Sequence, residues 1–266
     1  MRVLVTGGAG FVGSHIVDRL VEQGHEVLVV DDLSTGTTDY LPGEVRLEQI
    51  GIEDPRLLAL ASSFRPQAIT HCAAQASVPT SMADPALDAR INVIGGINLC
   101  QAAVGSGCAR FDYITTGGAL YGKPDYLPCD EDHPIRPISA YGLSKWTMEQ
   151  YVRILLGDSI QVSVLRLANV YGPRQSPLGE AGVIAIFGRK MTRSEQVTIF
   201  GDGEQTRDFI YVKDVTMAHE LAMQSEGRVT LNIGSGAGLS INDLFQKIVA
   251  ETHYMRGPCH AEERPG

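Results

Sequence analysis

Thr6-Gly7-Gly8-Ala9-Gly10-Phe11-Val12-Gly13 is the stretch whose reading decides the fold. It follows an apolar run, Arg2 to Thr6, and leads into Val12, Ile16, Val17, Leu20 and Val21, whose spacing of three and four marks one apolar helix face. Gly24 closes that helix, and Glu26 to Asp31 supplies the next apolar run. Strand, glycine turn, helix and strand make a βαβ unit. In that setting Gly7 permits the tight turn, Gly10 lets the backbone approach a pyrophosphate, and Gly13 allows close packing of the helix. The helix start offers unpaired N–H groups and a positive dipole end to phosphate. Asp31 stands where a carboxylate accepts hydrogen bonds from both adenosine ribose hydroxyls. It would repel a 2′-phosphate, and no basic residue follows it directly, so NAD is expected over NADP. The glycine spacing is G-x-x-G-x-x-G, so the bland alternative is a structural turn with a surface acid.

Outward from this unit the pattern repeats. Further strand candidates are Val45 to Ile50, Ala68 to Cys72, Phe111 to Thr116 and Gln161 to Leu167, separated by longer helical stretches. Their apolar residues come in runs, as expected where helices cover both faces of a sheet. The fold class expected is α/β, a Rossmann-type doubly wound parallel sheet. Beyond Tyr171 the pattern loosens through Pro173, Pro177, Gly179 and Gly182. Shorter elements follow at Val197 to Phe200, Phe209 to Val212 and Val229 to Ile233. The division expected is a first domain over 1–170 and a smaller substrate lobe over 171–266, with segments such as 207–233 returning to the first. The glycine-rich Ile233 to Gly238 reads as a turn, with a phosphate contact as the other possibility, ahead of a capped helix.

Of 266 residues, 44% are hydrophobic and 20% charged, which supports a large core and excludes disorder, collagen and coiled coil. The formal net charge of −9 disfavours nucleic acid or an anionic membrane as partner. Cys72, Cys100, Cys108, Cys129 and Cys259 are scattered and odd in number, which suits a reducing compartment, the cytoplasm by default. No apolar run approaches the ~18 residues of a membrane span, and the N-terminus is too brief in its apolar run for a signal peptide. The seven histidines form no metal-ligand spacing, so no metal is expected.

Tyr141-Gly-Leu-Ser-Lys145 places two side chains about one turn apart on one helix face, with Ser139 as a cap. A tyrosine with a reference pKa near ~10 is a poor base at neutral pH, but a nearby ammonium favours the phenolate, so the pair is a tunable proton shuttle. Alone, the spacing also fits a surface contact. After a dinucleotide fold it points to chemistry.

With these residues in place the sequence resembles the extended short-chain dehydrogenase/reductase family, most closely the nucleotide-sugar 4-epimerases of the UDP-glucose 4-epimerase type. The carrying segments are Thr6 to His15, Val30-Asp-Asp-Leu-Ser-Thr-Gly36, His71 to Val78, Gly118-Ala-Leu-Tyr-Gly122, Tyr141 to Lys145, Arg166-Leu-Ala-Asn-Val-Tyr-Gly-Pro173 and Arg207-Asp-Phe-Ile-Tyr-Val-Lys-Asp214. The resemblance implies Tyr141 as catalytic base and Lys145 as the residue that holds the nicotinamide ribose and lowers the tyrosine pKa. It implies an NAD site of Gly7, Gly10, Phe11, Val12, Asp31, Asp32, Ser34, Thr35, Gly36, Ile52, Ala73, Ala74, Asn92, Thr115, Tyr141 and Lys145. Sugar-nucleotide contacts are implied for Thr116, Tyr141, Asn169, Phe200, Arg207 and Arg264. Ordinary surface arginines are the alternative for Arg207 and Arg264, and core packing for Phe200.

Two departures stand out. The family usually has an adenine-binding Asp after the third strand, and the matching position is Gly51, with Glu53 and Asp54 displaced. Its catalytic Ser or Thr matches Gly117, which leaves Thr116 or Thr115 to supply the hydroxyl, and Thr116 is the one expected. Related dehydratases carry an Asp-Glu pair in that loop and decarboxylases a Glu, whereas Thr116-Gly-Gly-Ala-Leu-Tyr121 has no ionisable group but Tyr121. The chemistry implied is reversible oxidation alone, giving C4 epimerisation of a UDP-sugar, with glucose/galactose first. The N-acetylated or glucuronate pairs, a net reductase or synthase, and a non-catalytic NAD-binding protein are the alternatives. A homodimer is expected through Ala86 to Gly105 with Thr147 to Leu156. Relatives usually continue for several dozen residues, so part of the sugar pocket is expected beyond Gly266.

Overall fold

The computed structural model describes residues 1–177 and 182–262. In chain order the strands are β1 (Arg2–Thr6), β2 (Glu26–Val30), β3 (Arg46–Glu48), β4 (Ala68–His71), β5 (Arg110–Thr116), β6 (Gln161–Leu167), β7 (Asn169–Tyr171), β8 (Thr198–Phe200), β9 (Thr206–Tyr211), β10 (Arg228–Ile233), β11 (Gly238–Ser240) and β12 (Cys259–Ala261). The helices are α1 (Phe11–Glu22), α2 (Arg56–Phe64), α3 (Val78–Ala83), α4 (Pro85–Ala89), α5 (Gly96–Ser106), α6 (Ala140–Leu155), α7 (Val183–Thr192), α8 (Val212–Met223) and α9 (Ile241–Thr252). A wider π turn, Arg90–Gly95, joins α4 to α5.

Seven parallel strands form the main sheet in the order β10-β6-β5-β4-β1-β2-β3. This is the expected Rossmann-type α/β fold, with β10 drawn back into the first sheet from late in the chain. The apolar runs in β1, β2 and β4 are buried on both faces, which is why they do not alternate. On one face Leu57, Leu99, Phe111, Met148 and Val152 form a core beneath α2, α5 and α6. On the other, Val3, Val5, Ile16, Leu20 and Val215 close the space beneath α1 and α8. At Gly96 a Cβ would stand 2.3 Å from Met148 Sδ, so glycine is what lets α5 and α6 pack this closely.

The late part of the chain builds a smaller layer. Strands β11, β9 and β7 make one short sheet and β12 with β8 another. A separate core of Phe187, Met191, Val197, Ile199, Leu244, Phe245 and Tyr254 holds α7 and α9 together. Ser240 caps α9, its hydroxyl accepting from Asp243 N. Strand order reverses between β1 and β4, and in such sheets the crevice outside the carboxyl ends at this switch point is where ligands bind.

Candidate active site

Gly7 lies at φ +68°, and a Cβ there would meet Ala73 N at 2.5 Å, so the turn after β1 passes directly against the chain after β4. At Gly13 a Cβ would be 2.1 Å from Gly7 O, and only glycine lets α1 sit on the loop. Gly10 is different: a Cβ would have only Gly7 O nearby, at 3.3 Å, so the space before the helix is open. Gly10 is also the N-cap residue and supplies no side chain to the first turn. Phe11 and Val12 open that helix. The first-turn N–H groups are thus left for an external acceptor, as a pyrophosphate requires.

Asp31, just past β2, is buried and caps the loop: its carboxylate accepts from Ala9 N and Leu33 N, each at 2.9 Å. These bonds hold it charged against the burial that raises its pKa, and leave lone pairs for a ribose diol. Asp32 takes Ser34 N and Oγ, and Thr37 N donates to Ala9 O. These contacts fold Ser34, Thr35 and Gly36 over the glycine turn, where a Cβ at Gly36 would meet Ala9 O at 2.8 Å. Uncapped helix, fixed carboxylate and open Gly10 fit NAD.

Other expected cofactor residues fall into two groups. Ala73 and Ala74 line the crevice edge after β4. Ile52 is buried in the core against the Gly95 backbone, and Asn92, also buried, is fully engaged. Asn92 Oδ1 accepts from Gln75 N, and its Nδ2 donates to Gln75 O, Asp88 Oδ1 and Ser144 Oγ, tying the loop after β4 to α6. Asn92 sits in the π turn, a deformation often found at functional sites.

Ser139 starts α6 by accepting from Gly142 N at 3.1 Å, and Tyr141 N donates to Ser81 Oγ at 3.0 Å. The Tyr141 phenol is hydrogen-bonded to Thr116 at the end of β5, which favours the phenolate, but burial dominates and pushes the phenol up to about 12. Burial thus outweighs any lowering of this pKa of the kind the resemblance assigns to Lys145. Lys145 Nζ donates to Ile114 O at 3.2 Å and lies 4.5 Å above the Tyr113 ring. Burial draws the lysine down to about 8. The expected hydroxyl is therefore Thr116; Thr115 is buried one residue earlier, beside Tyr113 and Glu149.

Of the expected sugar-nucleotide contacts, Asn169 and Arg207 are exposed on the adjacent strands β7 and β9. Asn169 Nδ2 donates to Asp208 O, and Arg207 Nη1 donates to Thr206 O. Phe200 ends β8 and is partly buried, and Arg264 lies outside the described residues. The glycine-rich turn at Ser235 and Gly236 donates its N–H groups to Asp208, so these donors are already satisfied. Beside Gly51 the Glu53 carboxylate folds back, 2.6 Å from where a Cβ would stand, and occupies the room a side chain at 51 would need. Sequence reasoning missed Asp88, Glu149 and Arg166. For Glu149 there was a signal, since it continues the Tyr141, Lys145 face by one more turn.

Residues 3–234 match the NAD dependent epimerase/dehydratase family. The UDP-glucose 4-epimerase of Mycolicibacterium smegmatis is 40% identical over 255 residues, covering 93% of this chain and 82% of that protein. A crystal structure of UDP-glucose 4-epimerase from Thermotoga maritima with UDP-glucose superposes with TM-score 0.98 at 44% identity, over 100% of this chain and 87% of the other. The Thermus thermophilus UDP-glucose 4-epimerase complex with NAD gives 0.94 at 39%, over 100% and 88%. With its glycine turn, fixed Asp31 and Tyr141-x-x-x-Lys145 helix, the chain belongs to the NAD dependent epimerase/dehydratase family.

Proposed function

We propose that this protein epimerises a UDP-sugar at C4, interconverting UDP-glucose and UDP-galactose through a transient 4-keto sugar. One observation carries the reaction type: next to the Tyr141–Thr116 pair, the loop from Thr116 to Tyr121 offers no free acid or base. Its one ionisable side chain, Tyr121, donates to Asn232 Oδ1 at 2.6 Å and accepts from Arg166 Nη1 at 3.1 Å. Elimination of water or loss of carbon dioxide needs a further proton donor or acceptor at this spot, and reversible oxidation does not.

Gly7 to Val12, Asp31 and the loop from Asp32 to Gly36 hold NAD, with Ala73, Ala74 and Lys145 along the crevice. When bound, NAD would supply the hydride acceptor and, once reduced, the hydride donor for sugar C4. Tyr141 takes the proton of the 4-hydroxyl and gives it back, and Thr116 donates to the phenolate while it waits. Asn169, Phe200 and Arg207 line the side from which the nucleotide diphosphate is gripped, where an arginine fork suits phosphate oxygens.

Two copies of the chain pair through α5 and α6. Ile94 in the π turn, Val104 on α5 and Tyr151 and Ile154 on α6 are exposed apolar side chains, Ile154 to 68%. Ile154→Glu, followed by sedimentation, tests this pairing. The cytoplasm suits an enzyme whose five cysteines are all free thiols.

The deciding experiment incubates the purified protein with UDP-glucose and no added NAD, and separates the products by chromatography. Appearance of UDP-galactose is expected. Conversion of UDP-N-acetylglucosamine or UDP-glucuronate alone would change the sugar. No epimer from any of the three after NAD addition would overturn the reading.

A further inference from the structure

Helix α6 carries a third polar side chain on the face of Tyr141 and Lys145. Glu149, one turn beyond Lys145, is buried, and Arg166 reaches it from β6 with Nη2 2.8 Å from Oε2 and Nε 3.3 and 3.2 Å from Oε1 and Oε2. The reaction as derived does not use this pair. Withdrawing both charges from water costs about as much as their attraction returns, and apolar residues of similar volume often serve stability as well. Stability alone therefore does not account for it.

The surroundings of Lys145 supply a reason. On its own helix it shares a face with Tyr141 and Glu149 by the spacing of four; from β4 and its end come His71 and Cys72, from β5 the Tyr113 ring, and from α4 Asp88. His71 is buried and neutral, with its pKa down at about 3. Burial pushes the Cys72 thiol up to about 12, so it carries no charge near neutral pH. The Asp88 carboxylate is committed to the amides of Gln75 and Asn92, at 2.9 and 3.0 Å. Asp88 and Glu149 both raise the lysine pKa, and Glu149 is the one clamped by a cation, Arg166. The same guanidinium donates to the Tyr121 hydroxyl at the end of the substrate loop.

We propose that Glu149 is a positioning residue for the reaction: clamped by Arg166, it balances the buried ammonium of Lys145 and ties the loop from Thr116 to Tyr121 to helix α6. The proposal rests on Tyr141 and Lys145 being the reacting pair. Asp88 sits on a separate element with its own partners, so Glu149 is the group through which β6 communicates with the lysine.

The chain has five lysines, few enough for the ε-carbon resonances of lysine-labelled protein to be followed by NMR during a pH titration, with Lys145→Arg identifying the signal. Glu149→Gln removes the balancing charge and leaves Arg166 positive, so the Lys145 midpoint falls by about 1 pH unit. Arg166→Met removes a positive neighbour and moves the midpoint upward. The double variant removes both opposing influences, so its midpoint lies between those of the two single variants, and Glu149→Asp keeps that of the unaltered protein. The alkaline limb of the epimerisation pH profile shifts in the same directions. Because the two single variants move oppositely, whichever folds is informative. Shifts of the same sign in both, or a Lys145 midpoint in Glu149→Gln equal to that of the unaltered protein, overturn the proposal. The NMR midpoint is read without turnover, so failure of the epimerase reading would appear separately, as absence of any C4 epimer.

Discussion

Lys145 Nζ donates to the carbonyl oxygen of Ile114 at 3.2 Å, so the ammonium is fixed by the end of β5, the strand that also delivers Thr116. The lysine and the hydroxyl are thus placed by a single element of the central sheet, and Tyr141 is brought to them by the helix that Ser139 caps. Three groups on two rigid elements keep their geometry better than groups on loops.

Tyr141→Phe removes the proton carrier and the phenol's bond to Thr116, while the bonds that place the residue are made by its backbone: N to Ser81 Oγ, and O from Ser144 Oγ. The rate of epimerisation should fall by about 10²- to 10⁴-fold with the thermal midpoint unchanged. Thr116→Val, which loses one hydrogen bond to the phenolate, should cost about tenfold. Steady-state rates measured with UDP-glucose check both, and wild-type turnover in Tyr141→Phe would refute the assigned base.

The glycines of the turn should separate binding from folding. Gly13→Ala places a methyl 2.1 Å from Gly7 O, which forces α1 off the loop and should destabilise the protein by about 1–3 kcal/mol in urea unfolding. At Gly10 the same methyl has Gly7 O at 3.3 Å and otherwise open space, the space a pyrophosphate would enter. Gly10→Ala should therefore unfold close to wild type yet retain less NAD through purification, measured by absorbance of the released cofactor.

The sheet was legible because parallel strands buried on both faces announce themselves as apolar runs; β1, β2, β4, β5 and β6 each fall within a residue or two of their expected bounds. Strand β9 begins earlier than Phe209, because Thr206 and Arg207 extend it on exposed backbone paired with β11, where no apolar signal exists. The Gly7, Asp31, Tyr141 and Lys145 positions could be read for a related reason: their chemistry demands a residue type at a local spacing. Glu149 with Arg166, and Asp88 with Gln75 and Asn92, were not read. Glu149 meets Arg166 only through the packing of α6 on β6, and Gln75 meets Asp88 and Asn92 only because the loop after β4 folds onto α4 and the π turn, so local spacing shows neither set.

The resemblance implies an adenine-binding acid after the third strand, and position 51 is glycine. The Glu53 carboxylate fills that room, from a residue that is otherwise exposed. Glu53→Gln should leave stability within about 0.5 kcal/mol while weakening NAD retention by about tenfold or more, as loss of a hydrogen bond to a charged group does. Isothermal titration of cofactor-free protein with NAD checks it. Unchanged affinity would mean that adenine is held by backbone and packing alone.

Acid should destabilise the fold through two histidines that lie nowhere near the surface. His71 bonds Thr6 Oγ1 through Nδ1 at 2.8 Å and His219 bonds Thr70 Oγ1 through Nε2 at 3.0 Å; burial lowers their pKa values to about 3 and about 4. Between those values and the ordinary histidine pKa near ~6.5, the unfolded chain takes up protons that the folded chain refuses, so stability falls as pH falls. At pH 5 this is about 2 kcal/mol for each histidine relative to pH 8. Asp112, paired with Arg110 and 3.9 Å from His219, opposes the trend: burial raises it to about 6, so on acidification the folded state binds this proton first, contributing about 1 kcal/mol by pH 5. From these three groups together the loss expected between pH 8 and pH 5 is about 3 kcal/mol. Urea unfolding at both pH values measures it, and in His219→Gln the difference should shrink by about the share of one histidine. A difference as large in His219→Gln as in the unaltered chain would mean that His219 is protonated in the folded state.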